Sequence, residues 1–438
     1  MKTTQGSTFA RLAILLALDV LLLTLAGWRA ADHGAASLCA GWPFCIPLSQ
    51  NGWFKLAHAV LAMLAGLLAL RLLLVAWQKH RADTLLLPLT TATAILFLGQ
   101  AFVGVVVVAR DFRLDLVVLH SATSISLGVS LIALVLVSVA RMRAAGRPPE
   151  ALAAPSWRDF LALSKPWIVA LLLVTTYAGL AAGIRGLPPL DLTVWTLLGG
   201  GLAAAGSSAL NQFIDRELDK NMQRTARRPL PAGRLAPAEA LSYGLALCLA
   251  SYYVLAGLVN LTAALLSMAG ILYYVVFYSI LLKRATIQNI VIGGGAGAIP
   301  PMVGWAAATG QLSVAAWILF LIIFLWTPPH FWALAIVRIK DYQKAGVPML
   351  PVVKGERSAR RQIFVYTALL VPATLLLPLV GAAGAFYTAA AILLGSGLLL
   401  AAWRVWTRPG NKVAWTMYRW SSMYLMLIFL AIAADSLF

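Results

Sequence analysis

Three oxygen-bearing side chains at four-residue spacing stand out in an apolar sequence. Asn211, Asp215 and Asp219 follow a long apolar run in a 438-residue chain that is 61% hydrophobic and has only 15 Asp and Glu residues. Residues four apart on a helix differ by only about 40° in angle around the helix axis and therefore share one face. Oxygen ligands on one face suit Mg²⁺, which binds through one or two carboxylates plus substrate phosphates. The spacing predicts a metal site, and the alternative is a charged loop between membrane helices.

A group of arginines follows this face directly. Arg224, Arg227 and Arg228 lie within nine residues of Asp219. Guanidinium groups bind phosphate oxygens through paired, charge-assisted hydrogen bonds. A metal-binding face followed by arginines therefore predicts a site for a diphosphate.

The elements that must position these residues are membrane helices. Apolar runs of about twenty residues recur along the chain, which indicates an all-α polytopic membrane protein. We expect about thirteen transmembrane helices. They lie near residues 9–30, 53–76, 84–109, 115–140, 167–187, 191–213, 238–258, 261–282, 289–308, 313–338, 362–383, 386–405 and 414–434.

The charge of the chain orients these helices. The sequence has 34 Lys and Arg residues and a net charge of +19, and the basic residues fall in alternate loops. The positive-inside rule places such loops in the cytoplasm, together with the N-terminus and the Asn211–Arg228 region. We therefore expect a multi-pass protein of the cell membrane that attracts anionic lipid head groups. The basic loops lack the interleaved aromatic residues of a nucleic-acid groove, so a nucleic-acid partner is not expected.

One stretch interrupts the apolar pattern. Residues 141–154 are small, basic and proline-rich, with four expected helices before them and nine after. The sequence predicts a four-helix segment over 1–145, a cytoplasmic linker over 146–160 and a nine-helix segment over 161–438.

Two histidines mark the four-helix segment. His58 and His120 each lie about five residues into an expected helix that enters from the outer side, so both rings should lie at similar depth. Facing imidazoles in a helical bundle can ligate a haem iron from both sides, whereas a single membrane histidine is more often a packing residue. Cys39 and Cys45 share a short outer loop that permits a disulfide. Asp19 is an intramembrane acid without an evident partner.

This segment resembles one half of the heme A synthase family. The matching features are the Trp-Pro loop between the cysteines, Leu98-Gly99-Gln100 with Gly104, and Leu119-His120-Ser121. The family builds eight helices from two such halves, so the resemblance implies haem binding and allows pairing of two copies in a homodimer. The helix-two glutamate and arginine of the family are replaced here by Lys55 and Ala59, which leaves independent heme A synthase activity open.

The nine-helix segment has further motifs. They are Arg227-Arg228-Pro229-Leu230-Pro231, Tyr273-Tyr274 with Phe277-Tyr278 and Lys283-Arg284, Gly293 to Pro301, Thr327-Pro328-Pro329-His330-Phe331-Trp332, and Lys340-Asp341-Tyr342 continuing to Pro351. Together with the Asn/Asp face, they resemble the intramembrane aromatic prenyltransferase superfamily, and within it the heme O synthase branch, also called the protoheme IX farnesyltransferases. Asp341 stands alone, with Ala345 four residues later, where quinone-type members repeat the aspartate.

The resemblance implies an activity and a set of site residues. A farnesyl group would pass from farnesyl diphosphate to a vinyl group of protoheme IX, giving heme O. Metal ligation falls to Asn211, Asp215, Asp219 and Asp341; diphosphate binding to Arg224, Arg228, Lys283 and Arg284; and stabilisation of the farnesyl cation to Tyr273, Tyr274, Phe277 and Tyr278. His330 would bind haem or handle a proton, and a structural role in a proline-broken helix is the alternative.

Two other functions remain open at this point. One is prenyl transfer to a quinone or another aromatic precursor. The other is a membrane module that holds haem without catalysis, against which the intact Asn/Asp spacing and basic loops argue.

Overall fold

The structure, a computed structural model, describes residues 3–32, 50–143 and 154–437. Every regular element in these ranges is helical, which confirms the predicted all-α fold. The helices are α1 (Thr3–Asp32), α2 (Gln50–Lys79), α3 (Leu86–Ala109), α4 (Leu114–Arg143), α5 (Trp157–Ser164), α6 (Pro166–Ile184), α7 (Leu190–Lys220), α8 (Pro237–Leu258), α9 (Leu261–Leu272), a π-helical segment (Tyr273–Leu282), α10 (Asn289–Gly293), α11 (Gly295–Thr309), α12 (Val314–Val337), α13 (Ile339–Lys344), α14 (Leu350–Val353), α15 (Gly355–Thr374), α16 (Leu376–Leu379), α17 (Ala385–Thr407) and α18 (Asn411–Asp435).

The helices identify a multi-pass membrane protein. Twelve of them, counting consecutive helices of one span together, are long and apolar enough to cross a membrane. The expected span at 191–213 is absent from this set, although it lies in the 31-residue helix α7. Glycine, serine and amide side chains replace large apolar residues along α7, so its hydropathy is lower than that of its neighbours.

The chain divides into two compact units. The first comprises Met1–Ala154 and Ala236–Tyr253, and the second comprises Pro155–Leu235 and Val254–Phe438. Most of the predicted linker lies outside the described residues. The first unit therefore contains α1 to α4 together with most of α8, which comes much later in the sequence.

The first unit is held together by alternating three- and four-residue repeats. On α1 the core cluster includes Phe9, Ala13, Leu16, Val20 and Leu23, and α2 continues the pattern with small and large apolar residues. This repeat places one apolar stripe along each helix, as in coiled coils. α1 packs against α2 and α4, and α3 packs against α4 and α2.

Helix α8 joins this unit through polar as well as apolar contacts. The Glu239 carboxylate is fully buried, accepts a hydrogen bond from the Ala236 backbone N–H and pairs with Arg81 Nε at 2.6 Å. Gly99 on α3 lies against the ring of Tyr253, where a Cβ atom would come within 2.2 Å of the ring. Glu239 thus combines a helix N-terminal cap with a buried ion pair.

The second unit depends on close contact between helix backbones. Gly304 on α11 lies against the Thr176 carbonyl of α6, and Gly179 on α6 lies against the Pro301 carbonyl of α11. Small residues permit such approaches between membrane helices, where van der Waals contact supplies much of the attraction. α11 also packs against α9 and α12, and α18 packs against α6, α12 and α17.

Candidate functional site

The second unit encloses a cavity of about 690 Å³ with a charged region and an apolar region. This volume lies within the usual range for small-molecule sites. The cavity is lined by nine of the sequence-predicted site residues: Asn211, Asp215, Asp219, Arg224, Arg228, Tyr274, Tyr278, Lys283 and His330.

The polar face of α7 forms the acidic part of the cavity. Asn211, Asp215 and Asp219 are all at least 96% buried, and all three line the cavity. Their common orientation follows from the four-residue spacing on a continuous helix. The polar, glycine-rich composition of α7 therefore matches a helix that faces a polar cavity rather than lipid.

Each carboxylate on this face has a basic partner. Asp215 Oδ2 forms an ion pair with Lys283 Nζ, and Asp219 Oδ2 pairs with Arg228 Nη1 at 2.6 Å. A buried ion pair costs desolvation of both charges, so it persists where the geometry also provides hydrogen bonds. These pairs bring the acidic and basic groups into the same part of the cavity.

Asn211 connects three elements at the centre of this cluster. Its amide nitrogen donates to Asp215 Oδ2 at 2.7 Å and to Ser279 Oγ at 3.0 Å, and its carbonyl oxygen accepts from Lys165 Nζ at 3.2 Å. Ser279 in turn donates to the Tyr274 backbone carbonyl at 2.8 Å. Because every polar atom of the amide is engaged, Asn211 fixes the orientation of Asp215.

Lys165 is a site residue that the sequence analysis missed. It separates α5 from α6, has left-handed backbone angles (φ 48°, ψ 64°) and precedes Pro166, a position where the preceding residue prefers an extended conformation. Burial, followed by the nearby positive charges of Arg228 and Lys283, lowers the pKa of Lys165 to about 7. Strained backbone at a partly buried lysine is characteristic of functional sites. The available signal in the sequence was a lysine directly before a proline at the start of an apolar run.

The π-helical segment separates the four predicted aromatic residues into two stripes. Tyr274 and Tyr278 stack with ring centroids 5.6 Å apart and line the cavity. Tyr273 and Phe277 form a second pair, with centroids 5.7 Å apart, and are not among the described cavity-lining residues. The Phe277 side chain is 52% exposed. Tyr274 and Tyr278 are therefore the pair placed to act on a molecule in the cavity.

Glycine makes room for one of these rings. A Cβ atom at Gly293 would come within 2.2 Å of the Tyr278 ring, and one at Gly294 within 2.9 Å of Thr327. Gly293, Gly294 and Gly297 also line the cavity. The glycine-rich stretch thus allows an aromatic side chain and the cavity itself to approach the α10–α11 backbone.

Two predicted charged residues lie away from the cavity lining. Asp341 is half-buried in α13 and Arg284 is exposed after the π-helical segment, and neither is among the described residues that line the cavity. Tyr342, the residue next to Asp341, does line it. The structure therefore brings Asp215 and Asp219 together in the cavity without Asp341.

The carboxylates of the cavity fit a divalent metal ion that takes only a few of its ligands from the protein. Among the described residues there is no group of three or more His, Cys, Asp or Glu residues that could hold a metal ion. Asp215 and Asp219, one helical turn apart, nevertheless each hold a cationic side chain at the cavity wall. Two carboxylates are the protein contribution expected for Mg²⁺ that also binds substrate phosphates.

The two histidines of the first unit each lie against a glycine. His58 Nδ1 is 3.0 Å from the Leu23 carbonyl, and a Cβ atom at Gly27 would come within 2.8 Å of its ring. His120 Nε2 is 3.1 Å from the Gln100 amide nitrogen, and Gly104 lies against its ring. His120 Nδ1 is buried and has no hydrogen-bond partner among the described residues. Cys39 and Cys45 lie outside the described residues.

Comparison with known proteins identifies the family. The UbiA prenyltransferase family model matches residues 172–428, which include α7, the π-helical segment and α12. The chain belongs to the UbiA prenyltransferase family. A protoheme IX farnesyltransferase from Roseiflexus sp. (strain RS-1) is 40% identical over 423 residues, covering 92% of this chain and 79% of the relative. A protoheme IX farnesyltransferase from Gloeobacter violaceus is 53% identical over 282 residues, covering 64% of this chain and 92% of the relative.

A solved structure shares the family fold. The apo structure of a UbiA homologue from Aeropyrum pernix K1 superposes with a TM-score of 0.53 at 20% identity, covering 61% of this chain and 98% of that chain. The comparisons confirm the predicted prenyltransferase fold and enzyme class. The Roseiflexus relative matches over both the four-helix and the nine-helix segment, because the alignment covers 92% of this chain.

Proposed function

We propose that this chain transfers a farnesyl group from farnesyl diphosphate to a vinyl group of protoheme IX, giving heme O. The observation that carries the proposal is a single cavity that joins a cluster of paired acidic and basic groups to an aromatic, apolar wall. Relatives at 40% and 53% identity named protoheme IX farnesyltransferase support this choice of substrates. The activity requires one end that binds a diphosphate and another that accepts a flat hydrophobic molecule.

The charged end of the cavity would bind the diphosphate. Lys165, Arg224, Arg228 and Lys283 are the cavity-lining cations available for its oxygens. Asp215 and Asp219 would hold Mg²⁺, which when bound supplies charge neutralisation to the leaving diphosphate. The positive-inside distribution of basic loops supports a cytoplasmic position for this end.

The aromatic end of the site would stabilise the prenyl carbocation. Tyr274 and Tyr278 present stacked rings to the same cavity that Lys283 lines. Aromatic faces attract cations, and this attraction grows when water is excluded. The two tyrosines would therefore stabilise positive charge on the farnesyl group while the apolar wall keeps water from trapping it early.

A product assay tests this function. Membranes containing the full chain are supplied with farnesyl diphosphate, Mg²⁺ and protoheme IX, and the haem is extracted and weighed by mass spectrometry. We expect a haem in which one vinyl group has gained a farnesyl group and a hydroxyl from water, which converts it to a hydroxyethylfarnesyl side chain, with diphosphate released. A prenylated quinone precursor formed in a parallel reaction with aromatic acids, without any prenylated haem, would contradict the proposal.

The pH dependence of the reaction should reveal the role of Lys165. Its pKa of about 7 means that the lysine is protonated below pH 7 and neutral above it. Only the protonated form attracts the diphosphate, so kcat/KM for farnesyl diphosphate should fall as the pH rises through about 7. A Lys165→Arg variant stays charged over this range, so its kcat/KM should fall much less. Ionisation of the diphosphate affects the wild type and the variant equally, so the difference between the two pH profiles reports on Lys165.

We also propose that the first unit binds haem through His58 and His120. The Leu23 carbonyl can accept a proton only from His58 Nδ1–H, which leaves Nε2 with a free electron pair for iron. Gly27 and Gly104 lie directly against the two rings, where a larger residue would displace the imidazoles. Two such segments from two copies of the chain would form the homodimer implied by the half-synthase resemblance.

Spectroscopy tests this haem site separately from catalysis. The purified protein should show a six-coordinate, low-spin haem spectrum that is lost in His58→Ala and in His120→Ala. His80, which stacks edge-on with Phe9 in the same unit, provides the matched control, and His80→Ala should retain the spectrum. A low-spin spectrum that persists in both single variants would contradict the assignment of His58 and His120 as the haem ligands.

A further inference from the structure

Three hydrogen bonds converge on Ser421 and join α12 to α18 beside the cavity. Trp326 Nε1 donates to the Ser421 carbonyl at 2.7 Å, His330 Nδ1 lies 2.7 Å from Ser421 Oγ, and Ser421 Oγ donates to the Tyr418 carbonyl at 2.8 Å. All three contacts are within the second unit. A cluster this fully bonded holds each of its members in one orientation.

Ser421 lies against Nδ1 of His330, so its contact leaves Nε2 free. A hydroxyl can donate one proton and also accept, so Ser421 Oγ can accept from a protonated Nδ1 while it donates to the Tyr418 carbonyl. In that arrangement both contacts of the hydroxyl are satisfied at once and Nε2 has a free electron pair. No hydrogen-bond partner for Nε2 occurs among the described residues.

Stacking fixes the plane of the same ring. The His330 imidazole lies between the Trp326 ring, with centroids 4.3 Å apart, and the Tyr418 ring, with centroids 4.6 Å apart. His330 is 8% exposed, and it lines the cavity together with Trp326 and Tyr418. An imidazole with a fixed plane and a fixed Nδ1 contact presents Nε2 in one direction.

The surroundings favour metal ligation over proton transfer. Within the described residues, the ring and hydrogen-bond contacts of His330 are with Trp326, Phe331, Tyr418 and Ser421, all uncharged, so an imidazolium has no counter-ion among them. Ser421 is a neutral acceptor and, unlike a carboxylate, gives little stabilisation to a protonated ring. Iron ligation requires the neutral ring and a free nitrogen, and the contacts of the cluster are compatible with this state.

We infer that His330 Nε2 ligates the iron of the acceptor haem and that Ser421 is the positioning residue that holds His330 in the ligating tautomer. The inference rests on the proposed function, since protoheme IX is the acceptor there. Ligation through one fixed nitrogen would anchor the porphyrin in the cavity, so that the vinyl group, not the iron, is the free part that meets the farnesyl cation.

A ligand exchange tests the iron bond. The full-length protein in detergent is titrated with ferric protoheme IX, and the visible and paramagnetic resonance spectra of wild type and His330→Cys are compared. We expect a difference spectrum in which the imidazole signature is replaced by a thiolate signature, and we expect His330→Gly to recover the imidazole signature on addition of free imidazole. The first-unit haem contributes equally to all of these samples and cancels in the difference.

Ser421 variants test the positioning role. Ser421→Ala should weaken haem binding at this site by about tenfold, because loss of such an outer hydrogen bond typically costs 10–100-fold in metal affinity. The effect should fall on KM for haem more than on kcat, and Ser421→Thr should restore it. Thr416→Ala on the same helix, whose hydroxyl donates only to the Lys412 carbonyl, should leave haem binding unchanged.

The outcomes separate this inference from the proposed function. Identical spectra for wild type and His330→Cys, at equal haem content and with heme O still formed, would overturn the iron bond and leave the function standing. Absence of heme O in the wild type together with the expected ligand exchange would overturn the function and support the iron bond. Equal haem affinity in Ser421→Ala and wild type would overturn the positioning role.

Discussion

Asp215→Asn should reduce farnesyl transfer by at least about a hundredfold, the typical cost of losing one charge-stabilising group at a reaction centre. Asp215 is 2% exposed and accepts from both Lys283 and Asn211. Asparagine retains the shape and one acceptor oxygen but removes the charge that would attract Mg²⁺. The change therefore separates the electrostatic role from packing, and heme O formation in membranes containing the full chain is the measurement.

Glu217→Gln is the matched control for this prediction. Glu217 lies on the same helix only two residues away, its side chain is 66% exposed, and it pairs with Lys220 outside the cavity. Both variants should elute as folded protein in detergent chromatography, and only Asp215→Asn should lose activity. Near-normal heme O formation by Asp215→Asn would refute the metal–diphosphate assignment.

Among Gly→Ala substitutions in the second unit, Gly304→Ala should be the most destabilising. The new Cβ atom would lie 1.9 Å from the Thr176 carbonyl and 2.8 Å from the Leu180 backbone nitrogen. Backbone atoms cannot rotate aside, so α6 and α11 must separate along their shared contact. Overpacking of this kind costs about 1–3 kcal/mol of unfolding free energy, and more where the backbone has to move.

Gly397→Ala provides the comparison, because a Cβ atom there meets nothing within 4 Å. Alanine in an open helical position should be neutral or stabilising by up to about 1 kcal/mol. The thermal midpoint of each detergent-solubilised variant is the measurement. Equal midpoints for the two variants would mean that α6 and α11 are less closely packed than the structure indicates.

The spacing of polar residues predicted the acidic face of the cavity well, and the aromatic wall only in part. Asp215 and Asp219 share a face because any straight helix places residues four apart together. Tyr273, Tyr274, Phe277 and Tyr278 also have four-residue spacing, but this gives two adjacent stripes, and only tertiary packing determines which stripe meets the cavity. The π-helical backbone, which changes the residues per turn, adds a rotation that the sequence does not encode in a recognisable motif.

Residues placed by contacts distant in sequence were the least predictable part of the site. Lys165 reaches Asn211 because its backbone is left-handed between two helices, a conformation that cannot be read from the Ser-Lys-Pro sequence. Ser421 contacts a histidine 91 residues away, and no local pattern marks it. Asp341 was predicted from a sequence motif. It lies on the short helix α13, and the orientation of that helix depends on the turn after α12. In each case the decisive information is long-range packing.

The low hydropathy of α7 has a consequence for how the protein is made. A helix rich in glycine, serine and polar side chains partitions weakly into lipid by itself, yet α7 carries Asn211, Asp215 and Asp219. Its contacts with α6, α9 and α11 supply partners that lipid does not, and α9 and α11 are synthesised later. α7 therefore reaches its full set of contacts only after α9 and α11 have been made. The helix that carries the predicted metal ligands thus depends on its neighbouring helices, more than on its own hydropathy, for a stable place in the bilayer.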